Sequence, residues 1–220
     1  TDVIGATAPE AGRAVADRLA LRLVSPTGPV IDARIERRRG AAGWAVQRGV
    51  LAAGTVAGDP GALPEQGVSA RVVLPQLDAD AWQAALAGLW PTATEGRDAA
   101  ADAPTTAWLP DRLELRTERL RAGGREFQRL QVDASRDSAL WRAAVQSEEV
   151  AGRIEYRPGT PRNPGQITAR LSRLTLAREA RSEVERLLDQ PHSVPALDLT
   201  IDDLRWGDRS LGRIELQAVN

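Results

Sequence analysis

Cysteine and methionine are both missing from this 220-residue chain. That excludes disulfides, thiolate metal sites and a cysteine nucleophile. Lysine is missing as well, so all 29 basic side chains are arginine; they face 30 acidic ones, for a net charge of −1. Such a balance leaves no global field to draw in nucleic acid or an anionic membrane surface. The single histidine, His192, lies in the proline-flanked "DQPHSVP", and no second histidine exists to complete a metal site with it. There is no signal-peptide pattern and no run of about 18 apolar residues. G-x-S-x-G, P-loop and G-x-G-x-x-G motifs are absent too. Carboxylates occur in pairs (Asp202-Asp203, Glu148-Glu149, Asp78 and Asp80), but nothing in the pattern makes two of them converge as acid/base catalysis requires. "RIERRRG", residues 34–40, reads as a solvated strand end. The expectation is a protein with no catalytic residue, no cofactor, no metal and no nucleic-acid partner, and so not an enzyme. The last residues, "GRIELQAVN", still read as a strand, so the chain is expected to be a piece of a longer protein.

What is present is alternation. Apolar and polar residues exchange at period two in short runs bounded by turn signals, the mark of half-buried strands. The strands are expected at 18–24, 30–37, 43–48, 50–57, 68–75, 112–120, 127–135, 139–146, 150–157, 166–176, 196–206 and 210–219. Two segments have helical spacing instead. "DADAWQAALAGLW" (78–90) gathers Trp82, Ala85, Leu86, Leu89 and Trp90 behind an Asp cap, and "REARSEVERLLDQ" (178–190) gathers Val184, Leu187 and Leu188. Pro91 and Pro191 stop them. This divides the chain into a β-repeat segment 1–91 ending in a helix, a linker 92–106, and a β-repeat segment 107–220 with a helix near 178–190, read as one continuous sheet.

The alternation also repeats. "LDLTIDDLRWGDRSLGRIELQA" (197–218), moved back by 84 positions, overlies "LELRTERLRAGGREFQRLQVDA" (113–134) without a gap. Each copy has a two-residue turn candidate at its centre, Gly123-Gly124 and Gly207-Asp208, suited to a primed hairpin turn. Closing the second hairpin there opposes Leu197 with Ala218, Leu199 with Leu216 and Ile201 with Ile214 on one face. Thr200 then meets Glu215, and Asp202 meets Arg213, on the other. The first copy opposes Leu113 with Ala134, Leu115 with Val132 and Glu118 with Arg129. Near both tips the polar face turns apolar, as Leu120/Phe127 and Leu204/Leu211. A third hairpin at 19–35 opposes Leu19 with Ile35, Leu21 with Ala33 and Leu23 with Ile31. Behind the hairpins come strands led by Trp44 and Trp141, each followed by a glycine-containing strand. Repeats of this kind build long sheets.

These segments, together with "LWRAAVQSEEVAGRIEY", "PGQITARLSRLTL", "GWAVQRGVLAAG" and "GVSARVVLPQLDADAWQAAL", resemble the AsmA-like envelope proteins of Gram-negative bacteria, most closely the YhdP type. The resemblance implies a mainly β fold: a long curved antiparallel sheet of repeated hairpins, a β-groove or half-pipe, here with two short helices. It further implies a periplasmic segment of an inner-membrane-anchored protein, the anchor lying outside this chain. Its apolar groove would carry phospholipid between inner and outer membranes without enzymatic turnover. The alternative is a structural scaffold assisting outer-membrane protein assembly or envelope integrity. The expected partners are phospholipid acyl chains, neighbouring repeats of the parent chain and envelope proteins. From the hairpin register, the residues placed to line a groove are Leu113, Leu115, Val132, Leu197, Leu199, Ile201, Ile214 and Leu216, with helix 78–90 or 178–190 available to cover it. Sequence alone leaves a closed core open as the other use of that face.

Overall fold

The computed structural model describes residues 16–24, 30–40, 43–54, 61–87, 110–159, 165–176 and 196–218. They form eleven strands and one helix, and the strands follow one another in the sheet as they do in the chain. By contact the chain divides into two units, Thr1–Arg125 and Glu126–Asn220.

The first unit holds β1 (Ala16–Val24), β2 (Val30–Gly40), β3 (Gly43–Gly54), β4 (Gly67–Asp78), helix α1 (Ala79–Ala87) and β5 (Arg112–Ala122). The β1–β2 hairpin has the register read from the sequence, with Leu19↔Ile35, Leu21↔Ala33 and Leu23↔Ile31. The strands expected at 43–48 and 50–57 are a single strand, β3. The broken alternation that suggested a boundary is a bulge. Glu36 pairs with Arg48 and Arg37 with Val46, leaving Gln47 as the extra residue; a bulge shifts the phase of the side chains without ending the strand.

The sheet is mostly antiparallel, as the repeated hairpins imply, with parallel pairs among its strands. Strands β3 and β4 pair in parallel, as do β4 and β5. Parallel neighbours need a crossover of about a dozen residues or more. The connections 55–66 and 79–111 supply that length. The expected helix 78–90 is present as α1. Asp78 caps it, its carboxylate accepting the Ala81 N–H at 2.8 Å. The adjacent Asp80 reaches outward to the turn after β5 and accepts N–H bonds from Gly123 (2.7 Å) and Gly124 (3.1 Å). The Gly124 and then the Gly123 amide hold its carboxyl below the usual aspartate range. Residues 92–106, 178–190 and His192 lie outside the described residues.

The second unit holds β6 (Arg125–Asp137), β7 (Leu140–Gln146), β8 (Val150–Arg157), β9 (Gln166–Leu176), β10 (Ala196–Trp206) and β11 (Arg209–Ala218). Here β9 and β10 are the parallel pair, joined by the connection 177–195, and the other printed pairings are antiparallel. Both turn candidates are turns. Gly123 and Gly124 have φ of 59° and 71°, the type I′ pattern. Of the pair Gly207-Asp208 only Gly207 has positive φ, at 56°, the type II′ pattern with glycine first. One glycine inside a strand is also indispensable. Gly152 of β8 sits at φ 151°, where an added Cβ would strike the Arg170 carbonyl oxygen and lie 2.6 Å from Leu171 Cα. The buried centre of this unit is Val150, Ala169, Leu171 and Ile201.

Candidate functional site

Paired residues of neighbouring strands share a face, so the registers lay out the apolar surface of the second unit row by row. One row runs Val132, Val145, Gly152, Leu171, Ile201, Ile214. The next runs Ala134, Ala143, Ile154, Ala169, Leu199, Leu216, and the third Arg136, Trp141, Tyr156, Ile167, Leu197, Ala218. Across six strands the only charge in these rows is Arg136 at the margin, and its guanidinium lies over the Trp141 ring, 5.7 Å from its centroid. Burial falls off across the face. Ile201 is 2 % exposed, whereas Ile214 is 36 % and Leu216 46 % exposed on β11. No described side chain is less than 2 % exposed.

Near the tip of the second hairpin the expected Leu204/Leu211 pair on the polar face does not form: a bulge returns Leu204 to the apolar face, while Leu211 is 51 % exposed. In β10 the paired positions step from Ile201 to Leu204, and in β9 from Leu171 to Leu174. Three residues in place of two flip the alternation, and Leu174 and Leu204 join the buried cluster. Phe127 joins it as well, beyond Arg129, whose φ of 50° breaks the regular strand. Leu204 therefore pairs with Gly212 and not with Leu211. Asp202 and Arg213 fall at the register shift, yet still form an ion pair at 3.8 Å.

The opposite face is polar and rich in charge. Arg142 pairs with Glu155, Arg170 with Asp198 at 2.7 Å, and Arg213 with Glu215. In the first unit Glu36 stands between Arg18 of β1 and Arg48 of β3, at 2.7 and 2.6 Å. The Arg48 hydrogen bond, joined by that of Arg18, holds the Glu36 carboxyl below its ordinary range. Exposed pairs of this kind add little stability each. They nonetheless fix which face meets water, because a one-residue slip would exchange the two faces.

The first unit has its own apolar rows: Leu19, Ile35, Gly49, Val68; then Leu21, Ala33, Leu51, Ala70, Leu113; then Leu23, Ile31, Ala53, Val72, Leu115. Leu21 is 47 % exposed although it points to the apolar side. At the margin, Arg37 bonds Asp17 at 2.6 Å and lies 4.5 Å from the Trp44 ring centroid. Both Trp-led strands thus carry the same device, an arginine from the preceding strand over the leading Trp.

Of the sequence-derived candidates, Leu197, Leu199, Ile201, Ile214 and Leu216 are brought together by β10 and β11, with Val132 in the row of Ile201 and Ile214. Leu113 and Leu115 sit in the two longer rows of the first unit. The sequence reading missed Ile154, Ala169 and Leu171, whose signal, alternation in β8 and β9, was legible although the strands neighbouring β10 were not; it placed Phe127 on the polar face. Among the described residues no group of three or more His, Cys, Asp or Glu could hold a metal ion, and no helix is long and apolar enough to cross a membrane. A family model described as "YhdP protein" matches residues 14–220. No curated protein and no solved structure matches the chain.

Proposed function

The chain belongs to the YhdP family, and from that membership together with the apolar rows of its second unit we propose that it is a non-enzymatic segment of an envelope lipid conduit. In this reading phospholipid acyl chains lie on the apolar rows and head groups stay in water, so lipid moves through the periplasm between inner and outer membranes.

The observation that carries the reading is the row pattern of the second unit: three rows across six strands, with one charge confined to the margin. An acyl chain half as long as a bilayer core of about 30 Å would cross about three strands spaced about 4.8 Å apart. Each methylene it buries contributes about 0.8 kcal/mol. Outside the marginal Arg136, Trp141 and Tyr156, the rows offer no polar side chain that a passing chain would have to desolvate. The bulges of β9 and β10 serve the same end, since without them Leu174 and Leu204 would leave the face and polar residues would take their places.

The test is photo-crosslinking in cells with labelled phospholipid. A crosslinking amino acid replaces Leu199 or Leu216, which pair across β10 and β11, or Thr200 or Glu215, the adjacent pair on the polar face. Lipid adducts at Leu199 and Leu216 alone are expected. Equal labelling of both pairs, or none in a folded and expressed protein, refutes the conduit and favours a structural scaffold.

A further inference from the structure

The polar face of the second unit holds a pocket that the conduit reading does not use. It has a volume of about 400 Å³ and is lined by Arg129, Gln131, Gln146, Ser147, Glu148 and Arg173. It lies where β6 and β9 depart from regular geometry. Arg129 has a φ of 50°, and Arg173 follows the extra residue Ser172 that β9 carries opposite the Ala151–Gly152 step of β8.

The charges around it do not cancel. Glu148 is taken by Arg129, at 2.6 Å. Glu149 is turned inward. Its carboxylate accepts the Gln128 N–H at 3.0 Å and the Ser147 hydroxyl at 2.9 Å, while the same hydroxyl oxygen accepts the Glu149 and Val150 amides. Arg173 is left over. It donates to the Ser147 carbonyl oxygen at 2.6 Å, its Nε is buried without a partner, and no carboxylate among the described residues pairs with it. A half-buried cation with no counter-charge is costly unless something supplies one. Gln131 and Gln146, opposed across β6 and β7, add amide donors beside it.

We propose that this pocket is an oxyanion-binding site, taking a carboxylate or a phosphate group on the Arg173 guanidinium, with Arg129 and the two glutamine amides as the surrounding donors. A planar guanidinium matches either anion with charge-assisted hydrogen bonds. The site lies on the face opposite the apolar rows, so it stands or falls apart from the conduit reading.

The experiment is NMR titration of the 220-residue chain with inorganic phosphate and, separately, with acetate, at constant ionic strength held by chloride. Saturable shifts at the Gln131, Gln146, Ser147 and Glu148 amides and at the Arg173 side chain are expected, and Arg173→Gln should weaken binding by about tenfold or more. Arg129→Asn, at an exposed position whose φ asparagine tolerates, should weaken it less while leaving the fold intact, and serves if Arg173→Gln unfolds. Saturation by phosphate alone marks a phosphate ester as the natural ligand; saturation by acetate alone marks a protein carboxylate. Shifts that merely follow salt, or that persist unchanged in the arginine variants, overturn the site.

Discussion

Replacing Gly152 by alanine adds one methyl group to a 220-residue chain, and the structure requires it to be among the most damaging of small changes. Two costs combine. At φ 151° an L-residue is strained whatever the space around it, at about 1–3 kcal/mol. The new Cβ would also strike the Arg170 carbonyl oxygen and stand 2.6 Å from Leu171 Cα and 2.9 Å from Leu171 Cδ2. The first two are backbone atoms of the neighbouring strand, so no rotamer change relieves them, and overpacking of this kind adds about 1–3 kcal/mol. The sum is a loss of about 2–6 kcal/mol, a large part of the stability of an ordinary domain. Gly123→Ala is the control. Its φ of 59° is also positive, but nothing lies within 4 Å of the added Cβ, so about 1 kcal/mol is expected. Equilibrium urea unfolding followed by tryptophan fluorescence and far-UV circular dichroism measures both. If the two variants lose the same stability, or if Gly152→Ala changes it by less than about 0.5 kcal/mol, β8 and β9 do not approach as described.

Two further outcomes follow from burial and from charge. Ile201→Ala should cost about 2–5 kcal/mol, because the side chain is 2 % exposed at the centre of the apolar face. Leu216→Ala, at 46 % exposure on β11, should cost no more than about half as much; equal losses in urea unfolding would show that β11 is covered. Asp80 binds the Gly123 and Gly124 amides as a carboxylate with a lowered pKa, so its contribution is present above the unfolded-state value of about 3.9 and is lost as pH falls through the lower folded value. Amide-exchange protection at Gly123 and Gly124 should therefore decline on acidification in the wild type and be low at every pH in Asp80→Ala. Protection independent of both would exclude the clamp.

What the sequence disclosed and what it withheld divide along one physical line. Period-two alternation reports which face a side chain takes, and a turn signal between two such runs (Gly207-Asp208, or the "SPTGP" of 25–29) reports where the chain reverses. Those two signals are local, and they placed Leu199 opposite Leu216 and Leu21 opposite Ala33. Strand direction is not local. Alternation is the same for a parallel and an antiparallel neighbour, so the pairing of β9 with β10 was not legible from either strand. The parallel pairs are those joined by the long connections 55–66, 79–111 and 177–195, the length that a crossover between parallel neighbours needs.

The bulges reveal why the apolar face outlasts breaks in the pattern. Read with strict alternation, Leu204 belongs on the polar face with Asp202 and Thr200, and the apolar surface should end at Ile201. Instead β9 and β10 each insert their extra residue in the same register, so Leu171 and Leu174 stay beside Ile201 and Leu204. A bulge in one strand alone would have set an apolar row against a polar one. Matched bulges cost local hydrogen bonding and give regularity of face in return: Leu174 and Leu204 stay on the side of Val150, Leu171 and Ile201 and pack against them, where Arg173 and Asp203 would otherwise stand.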